Sequence, residues 1–220
     1  MLSKRLLAIA IAGAMALGTA APRSRSRNRG AGTPGVFDYY VLSLSWSPEY
    51  CAINGSNDPE QCADGRKFAF VVHGLWPQYE RGYPQNCAAG GAVSDAIIRR
   101  MLPLMPSPKL IEHEWRTHGT CSGLNQDAYF DLVRRAYSQV SIPADFKAPI
   151  KNIEVTPAQV KNEFVRANSA MPADAFRVLC RGRFLSEVRV CLTKQLQGRA
   201  CSPDVRDACA ADEIIMRPVR

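Results

Sequence analysis

The segments FVVHGLWPQ (residues 70–78) and HEWRTHGTC (residues 113–121) contain all three histidines of this 220-residue chain. Imidazole is the side chain whose ordinary pKa allows it both to donate and to accept protons near neutrality. A lone histidine is more often structural, but three histidines confined to two short segments, beside tryptophan and glutamate, are typical of a site that transfers protons. The two segments therefore predict an enzyme and indicate where its chemistry takes place.

The two segments resemble the paired active-site signatures of the ribonuclease T2 family, which are secreted, histidine-dependent ribonucleases. The similarity extends to FDYYVLSLSWSPEYC (residues 37–51), which resembles the first strand of that family and the loop after it. The segment MPS (residues 105–107) and the cysteine-rich end are also similar. The resemblance covers about residues 36–217, so it concerns a whole domain and not an isolated pattern.

RNA can be cleaved without a metal ion, because its 2′-hydroxyl can attack the adjacent phosphorus atom. The reaction needs a base for the 2′ proton, an acid for the departing 5′ oxygen, and a group that favours the charge on the phosphoryl oxygens. The resemblance makes His118 the base, His73 the acid, His113 a phosphate-binding residue and Glu114 the acidic residue that activates the site. The sequence itself does not decide which of His73 and His118 is the base.

The residue before His118 departs from the family pattern. Family members commonly have a lysine there, whereas this chain has Thr117, preceded by Arg116. Threonine supplies no positive charge to a transition state, and adjacent residues on a helix point in different directions. We therefore expect the same mechanism at a lower rate, with Thr117→Lys raising turnover. A helix over residues 113–118 would also place Glu114 and His118 on one face, where the carboxylate could orient the imidazolium.

The base of an RNA substrate needs a flat partner, and two aromatic residues follow His73 closely. We expect Trp76 and Tyr83 to stack on it. Gln78 occupies a position where some family members have a base-discriminating acidic residue, and an amide both donates and accepts hydrogen bonds, so the base preference is expected to be broad. Trp46 and Trp115 are predicted to be core residues.

The first 35 residues are predicted to lie outside the catalytic domain, which would span residues 36–220. Residues 1–21 combine a basic start, an apolar run and small residues, as in a secretory signal peptide, with an uncleaved anchor as the alternative. Residues 22–35 are rich in arginine, serine and glycine and predict a flexible linker, whose arginines could otherwise contact RNA. Without the six cations of these segments the net charge of +8 falls to +2, so charge alone says little about a nucleic-acid partner.

Eight cysteines behind a signal peptide predict four disulfides formed in an oxidising compartment. The sequence has no C-x-x-C pair and its cysteine spacings are irregular, which argues against a zinc site. We therefore expect neither a metal ion nor another cofactor. The family resemblance implies the pairs Cys51–Cys62, Cys87–Cys121, Cys180–Cys209 and Cys191–Cys201.

Strands and helices are interspersed along the chain. Strands are predicted at 39–44, 68–72, 185–192 and 213–217, with His73 near the end of the second strand. Helices are predicted at 94–101, 110–118 and 127–140, and after the N-cap Thr156. An order without regular βαβ units indicates an α+β fold. By resemblance, the fold is a central antiparallel sheet with helices packed against it, in a single disulfide-stapled domain.

These features predict a secreted or periplasmic endoribonuclease that cleaves single-stranded RNA by metal-independent transphosphorylation, a lyase-type reaction through a 2′,3′-cyclic phosphate. We expect a monomer, free of the membrane after signal cleavage, with a bell-shaped pH dependence and an acidic optimum. The alternatives are a secreted binding protein that has lost activity, a metal-dependent hydrolase and a serine hydrolase. The intact histidines argue against the first, and the absence of H-E-x-x-H and G-x-S-x-G patterns argues against the others.

Overall fold

Strand β1 (Tyr39–Trp46) lies inside the sheet and is buried on both faces. Leu42 and Leu44 face the main hydrophobic core, whereas Val41 packs with Cys191 in a smaller cluster on the opposite face. An aliphatic and aromatic run without glycine or proline can satisfy two buried faces at once. A strand of this composition therefore suits a position with a sheet neighbour on each side.

The computed structural model describes residues 32–219, so the predicted signal peptide and most of the predicted linker lie outside the described residues. Within residues 32–219, no helix is long and apolar enough to span a bilayer. The remaining elements are α1 (Ser47–Asn54), α2 (Pro59–Cys62), β2 (Phe70–Gln78), α3 (Asp95–Met101), α4 (Pro108–Thr117), α5 (Gln126–Ser138), β3 (Ile153–Val155), α6 (Pro157–Ala167), β4 (Phe176–Arg181), β5 (Phe184–Leu192) and β6 (Ile214–Met216).

The strands form one six-stranded sheet in the order β2–β1–β5–β6–β3, and β4 also pairs with β5. Neighbouring strands are antiparallel except β5 and β6, which meet in parallel at Phe184 and Ile215. Helices α4 and α5 contact β2, and α6 contacts β4. The predicted α+β class, with helices against a largely antiparallel sheet, is confirmed.

Strand β2 is longer than the sequence predicted, and His73 is its fourth residue of nine, not a residue near its end. β2 is an edge strand, where the glycine and proline that follow His73 in sequence are tolerated. Ser43 of β1 pairs with Gly74, and Leu44 pairs with Val72, so His73 is an extra residue between two paired positions. Such a bulge redirects a side chain, and bulges are frequent next to active sites.

The helix starts follow the capping residues of the sequence. Ser94 caps α3 by accepting a hydrogen bond from the Ile97 amide, and Thr156 forms a capping box with Gln159 at the start of α6. Helix α4 begins at Pro108, two residues before the predicted start, because Ser107 provides its cap. The elements α1, α2, β3 and β4 were not predicted.

The structure contains four disulfides, and they are the four pairs that the resemblance implied. Cys87–Cys121 joins the loop after β2 to the short turn that follows α4. This bridge closes the segment between two elements that each carry histidines. It therefore restricts how far α4 can move from β2.

Candidate active site

His73 is flanked by two carboxylates. Its Nδ1 atom lies 3.1 Å from Oε1 of Glu187 on β5, and its Nε2 atom lies 3.7 Å from Oε1 of Glu114 on α4. The His73 side chain is 38% exposed, whereas both glutamates are almost fully buried. The imidazole therefore contacts two buried acids while part of its ring remains open to solvent.

Trp76 holds the Glu114 carboxylate in place. The indole Nε1–H donates a 2.7 Å hydrogen bond to Oε2 of Glu114. The centroid of the Trp76 ring lies 5.2 Å from that of His73 and 5.3 Å from that of His118. One indole thus contacts a buried carboxylate at its edge and has two imidazoles as neighbours.

The sequence expectation that Glu114 orients His118 is wrong. Helix α4 ends at Thr117, and His118 is its C-cap residue with φ −118° and ψ −43°. Within residues 32–219 the His118 imidazole makes no hydrogen bond or ion pair with the Glu114 carboxylate. The Glu114 carboxylate pairs with His73 and Trp76. The contact between Glu114 and His118 is made by the backbone, where the Glu114 carbonyl accepts a hydrogen bond from the His118 amide.

His118 is buried at the wall of a cavity of about 590 Å³. Its Nδ1 atom has no hydrogen-bond partner within residues 32–219. The same cavity is lined by all three residues predicted to bind the substrate base, together with an arginine of β5: Trp76, Gln78, Tyr83 and Arg189. Gln78 is buried and its amide donates to the Pro77 carbonyl, whereas Tyr83 is 47% exposed.

His73 and His113 do not line the cavity that contains His118. His73 lines a separate, smaller cavity with Tyr50, Arg181 and Glu187. His113 is exposed on α4 and lines neither of these two cavities. Trp46 and Trp115 are buried in the core, as predicted.

Sequence reasoning did not find Glu187 and Arg189. They lie on β5 opposite Ser45 and Ser43 of β1, and so on the same face of the sheet. Arg189 donates from Nε to Glu187 Oε2 at 2.8 Å, and the Ser43 hydroxyl donates to Glu187 Oε1. The sequence did contain a signal for this pair. Glu187 and Arg189 are opposite charges two residues apart in the largely apolar run 184–192, and residues at that spacing share a face of a strand.

The two central histidines have opposite electrostatic surroundings. Burial opposes a charge on His73, but the hydrogen bond to Glu187 and the negative charges of Glu114 and Glu187 outweigh it and raise the pKa of His73. Burial lowers the pKa of His118 to about 3, with the positive charges of His113 and His73 adding to the effect. These surroundings therefore favour the imidazolium form of His73, and near neutrality His118 is the neutral imidazole.

The two glutamates also differ. Burial raises the pKa of Glu114 to about 7, against the charge of His73 and the hydrogen bond from Trp76. Burial would raise the pKa of Glu187 as well, but the hydrogen bond with His73 and the charge of Arg189 lower it to about 2. Desolvation, together with the charges of His73 and Arg116, lowers the pKa of His113. Perturbed pairs of this kind are typical of acid–base sites.

Gly74 leaves the space in which Glu114 and Trp76 meet. A Cβ atom at this position would overlap Glu114 Oε2 and Trp76 Nε1, and would lie 2.8 Å from Glu114 Cδ. Because these atoms are packed between β2 and α4, they cannot move aside without displacing a helix or a ring. Steric exclusion of any side chain therefore explains why the residue after His73 is a glycine.

We expect Gly74→Ala to lower the activity of the site by about tenfold to a hundredfold, because small misplacements of positioned groups have effects of that size. Gly55→Ala is the matched control, since its Cβ would meet only Cys62 Cβ at 3.7 Å. The measurement is kcat/KM of both variants beside their thermal unfolding. Equal activity of Gly74→Ala and Gly55→Ala would contradict this role.

The arrangement can move protons at both ends of a bound anion. It combines a neutral imidazole, an imidazolium and a nearby arginine, and the described part of the chain holds no group of three or more His, Cys, Asp or Glu side chains arranged to bind a metal ion. Acid, base and positive charge are the three components that acid–base transfer on a phosphate needs.

Comparison with known proteins gives a consistent result. The Ribonuclease T2 family profile matches residues 37–201. A ribonuclease of Aeromonas hydrophila is 36% identical over 196 residues, which are 86% of this chain and 89% of that protein. Ribonuclease DdI of Dictyostelium discoideum is 28% identical over 200 residues, covering 79% of this chain and 85% of that one.

The fold is also similar to that of a solved structure. An RNase-related protein from Calystegia sepium superposes with a TM-score of 0.68 at 22% identity, covering 84% of this chain and 98% of that chain. At this identity the likeness concerns the fold alone.

Proposed function

Because the chain belongs to the ribonuclease T2 family and is a ribonuclease of that type, we propose that it is an exported endoribonuclease that cleaves single-stranded RNA by metal-independent transphosphorylation. His118 is the general base and His73 the general acid. The observation that carries this assignment is the opposite environment of the two imidazoles, one buried without a partner in residues 32–219 and one held between two carboxylates.

In the proposed first step, neutral His118 takes the proton of the 2′-hydroxyl. The 2′ oxygen forms a bond to phosphorus, and the bond from phosphorus to the 5′ oxygen breaks. The His73 imidazolium gives its proton to that departing oxygen. The products are a 2′,3′-cyclic phosphate and a 5′-hydroxyl end, and the reverse proton transfers allow water to open the cyclic phosphate.

Glu114 and His113 assist at the phosphate in this proposal. A carboxylate beside a phosphate would repel it, but burial raises the pKa of Glu114 to about 7, so that below this pH the group is neutral and the repulsion is absent. His113 is exposed at the same helix and can reach the phosphoryl oxygens of a bound strand. The protonated form of Glu114 thus favours activity on the acidic side of neutrality.

The cavity beside His118 is the proposed binding site for a base. Tyr83 is exposed at its wall and offers a free aromatic face, whereas the Trp76 indole already donates to Glu114. The Gln78 amide lies in the same wall and can donate or accept. Stacking on an aromatic ring, beside an amide that can both donate and accept, supports a broad base preference, and a splayed single strand is the form of RNA whose bases can enter.

Export rests on two features. The leader composition of residues 1–21 is typical of a signal peptide, and four disulfides are typical of a protein from an oxidising compartment. A secreted or periplasmic monomer is consistent with both the leader and the disulfides. Cleavage of the leader would leave the catalytic domain without membrane attachment.

The oxidised protein is expected to cleave RNA in excess chelator and to leave 2′,3′-cyclic ends. The rate should rise with pH as His118 loses its proton near about 3, and fall as His73 and Glu114 lose theirs, the latter near about 7. The measurement is kcat/KM between about pH 3 and 9, a range that brackets the ordinary imidazole pKa, with the ends identified by mass spectrometry.

Loss of cleavage in chelator, with recovery on adding a divalent metal, would favour the metal-dependent alternative. A folded protein that binds RNA and leaves it intact over the whole pH range would favour the binding-protein alternative.

A further inference from the structure

We propose that Arg189 binds the scissile phosphate and supplies the positive charge that most of the family obtains from a lysine at the position of Thr117. This inference rests on the proposed function, because it assigns one more residue to the same reaction. It also modifies the expectation of a slower enzyme, since the charge that is missing from α4 is present on β5.

The position of Arg189 supports contact with the substrate. Its guanidinium carbon lies 5.0 Å from the centroid of the Trp76 ring, the ring that also neighbours His73 and His118. Arg189 and His118 line the same cavity. The base, the acid and the arginine are thus all neighbours of one indole, with the arginine on the side of the cavity that contains the base.

The Arg189 side chain is fixed in a way that leaves part of it for a ligand. Its Nε and Nη2 atoms both lie 2.8 Å from Oε2 of Glu187, while Nη1 makes no hydrogen bond within residues 32–219. The side chain is 29% exposed, so water or an anion can reach it. A guanidinium held along one edge by a carboxylate retains donors on the other edge, which suits an oxyanion.

Two further arginines on this side of the site, Arg116 and Arg206, are less suited, and Arg181 lines the cavity of His73 but not the one that contains His118. Arg116 is exposed on α4 and does not line the cavity that contains His118. Arg206 does line it, but its Nε atom donates to the Pro203 carbonyl of its own loop. Arg189 differs from both because a buried partner and an aromatic ring determine its orientation.

A purely structural role for Arg189 is the main alternative, because it also neutralises Glu187, the partner of His73. Comparing Glu187→Gln with the double variant Glu187→Gln/Arg189→Gln separates the two roles. The buried pair is lost in both variants, so a further loss in the double variant belongs to the arginine itself. Because the double variant replaces Glu187 together with Arg189, it contains no buried glutamate without its cation, which favours folding.

We expect the double variant to have a kcat/KM about a hundredfold to a thousandfold below that of Glu187→Gln at the pH optimum of each, as for the loss of one positioned donor to an oxyanion. Inorganic phosphate should inhibit it correspondingly less. Adding Thr117→Lys should restore activity more in this background than in the parent, because a second cation is useful only where the first is missing.

Arg199 provides the matched control. It is 28% exposed, pairs with Glu80 and lies over the Tyr39 ring, but it does not line the cavity. Arg199→Gln should change neither kcat/KM nor phosphate inhibition by more than about twofold, as for an exposed pair. Equal kcat/KM and equal phosphate inhibition in Glu187→Gln and the double variant would overturn the proposal. A parent that makes no cyclic ends would instead refute the proposed function.

Discussion

His118→Ala is expected to lower the cleavage of RNA by about 10²- to 10⁴-fold, and a better leaving group should not restore it. His73→Ala should lose a similar factor on RNA but recover most of it on a uridine 3′-phosphate ester of 4-nitrophenol. That leaving group departs as an anion and needs no proton from the enzyme. The 2′-hydroxyl must be deprotonated in both substrates, so the base remains necessary.

The physical basis of this difference is the protonation state of each imidazole. Burial holds His118 in the neutral form above about pH 3, which is the form that accepts a proton. Glu187 and Glu114 favour the charged form of His73, which is the form that donates one. A site with these environments exchanged would run the same reaction with the roles reversed.

The measurement is kcat/KM of parent, His118→Ala and His73→Ala on both substrates, with near-ultraviolet circular dichroism to verify folding. Each variant is the control for the other, because both lose one imidazole next to Trp76. Rescue of His118→Ala by the activated ester, with no rescue of His73→Ala, would reverse the assignment of acid and base.

The sequence predicted the parts of this site that lie within continuous segments. The two histidine segments, the strand before His73 and the helix before His118 could all be assigned from local patterns and from the family resemblance. The caps Ser94 and Thr156 were equally predictable, because a cap depends on residues three positions away.

The sequence could not predict the contacts that depend on how the strands pair. The bulge at His73 arises from the register between β1 and β2, and it is not encoded by either strand alone. The partners of Glu114, which are His73 and Trp76, depend on how α4 packs against β2. Glu187 is 114 residues from His73 in sequence, and only the sheet order brings the two together.

Glu187→Gln is expected to move the alkaline limb of the pH profile to lower pH by about one to three units, the size of the shift that a close opposite charge produces. The amide is nearly isosteric and can still accept a hydrogen bond from His73 Nδ1, so the ring keeps its orientation. It loses the negative charge that raises the pKa of His73. It also leaves the positive charge of Arg189 uncompensated, which lowers that pKa further.

The sign follows from the role of His73 as the acid. A raised pKa keeps the imidazolium present to higher pH, and removing its cause brings deprotonation to lower pH. Above the new limb the rate should fall by about tenfold for each unit of the shift, whereas at pH values low enough to protonate His73 in both proteins the parent and the variant should differ little. A loss of the same size at every pH would mean that Glu187 acts on folding or orientation and not through the charge of His73.

Glu49→Gln separates an effect through the charge of His73 from an effect on folding or orientation. Glu49 is also a buried glutamate paired with an arginine, in this case Arg217, and its charge does not contribute to the pKa shift of His73. Its replacement should reduce the free energy of unfolding as that of Glu187 does, because each leaves a partly buried arginine without its acid. It should leave the alkaline limb where it is. An equal displacement of the limb in both variants would show that general loosening of the sheet, and not the carboxylate beside Nδ1, controls the protonation of His73.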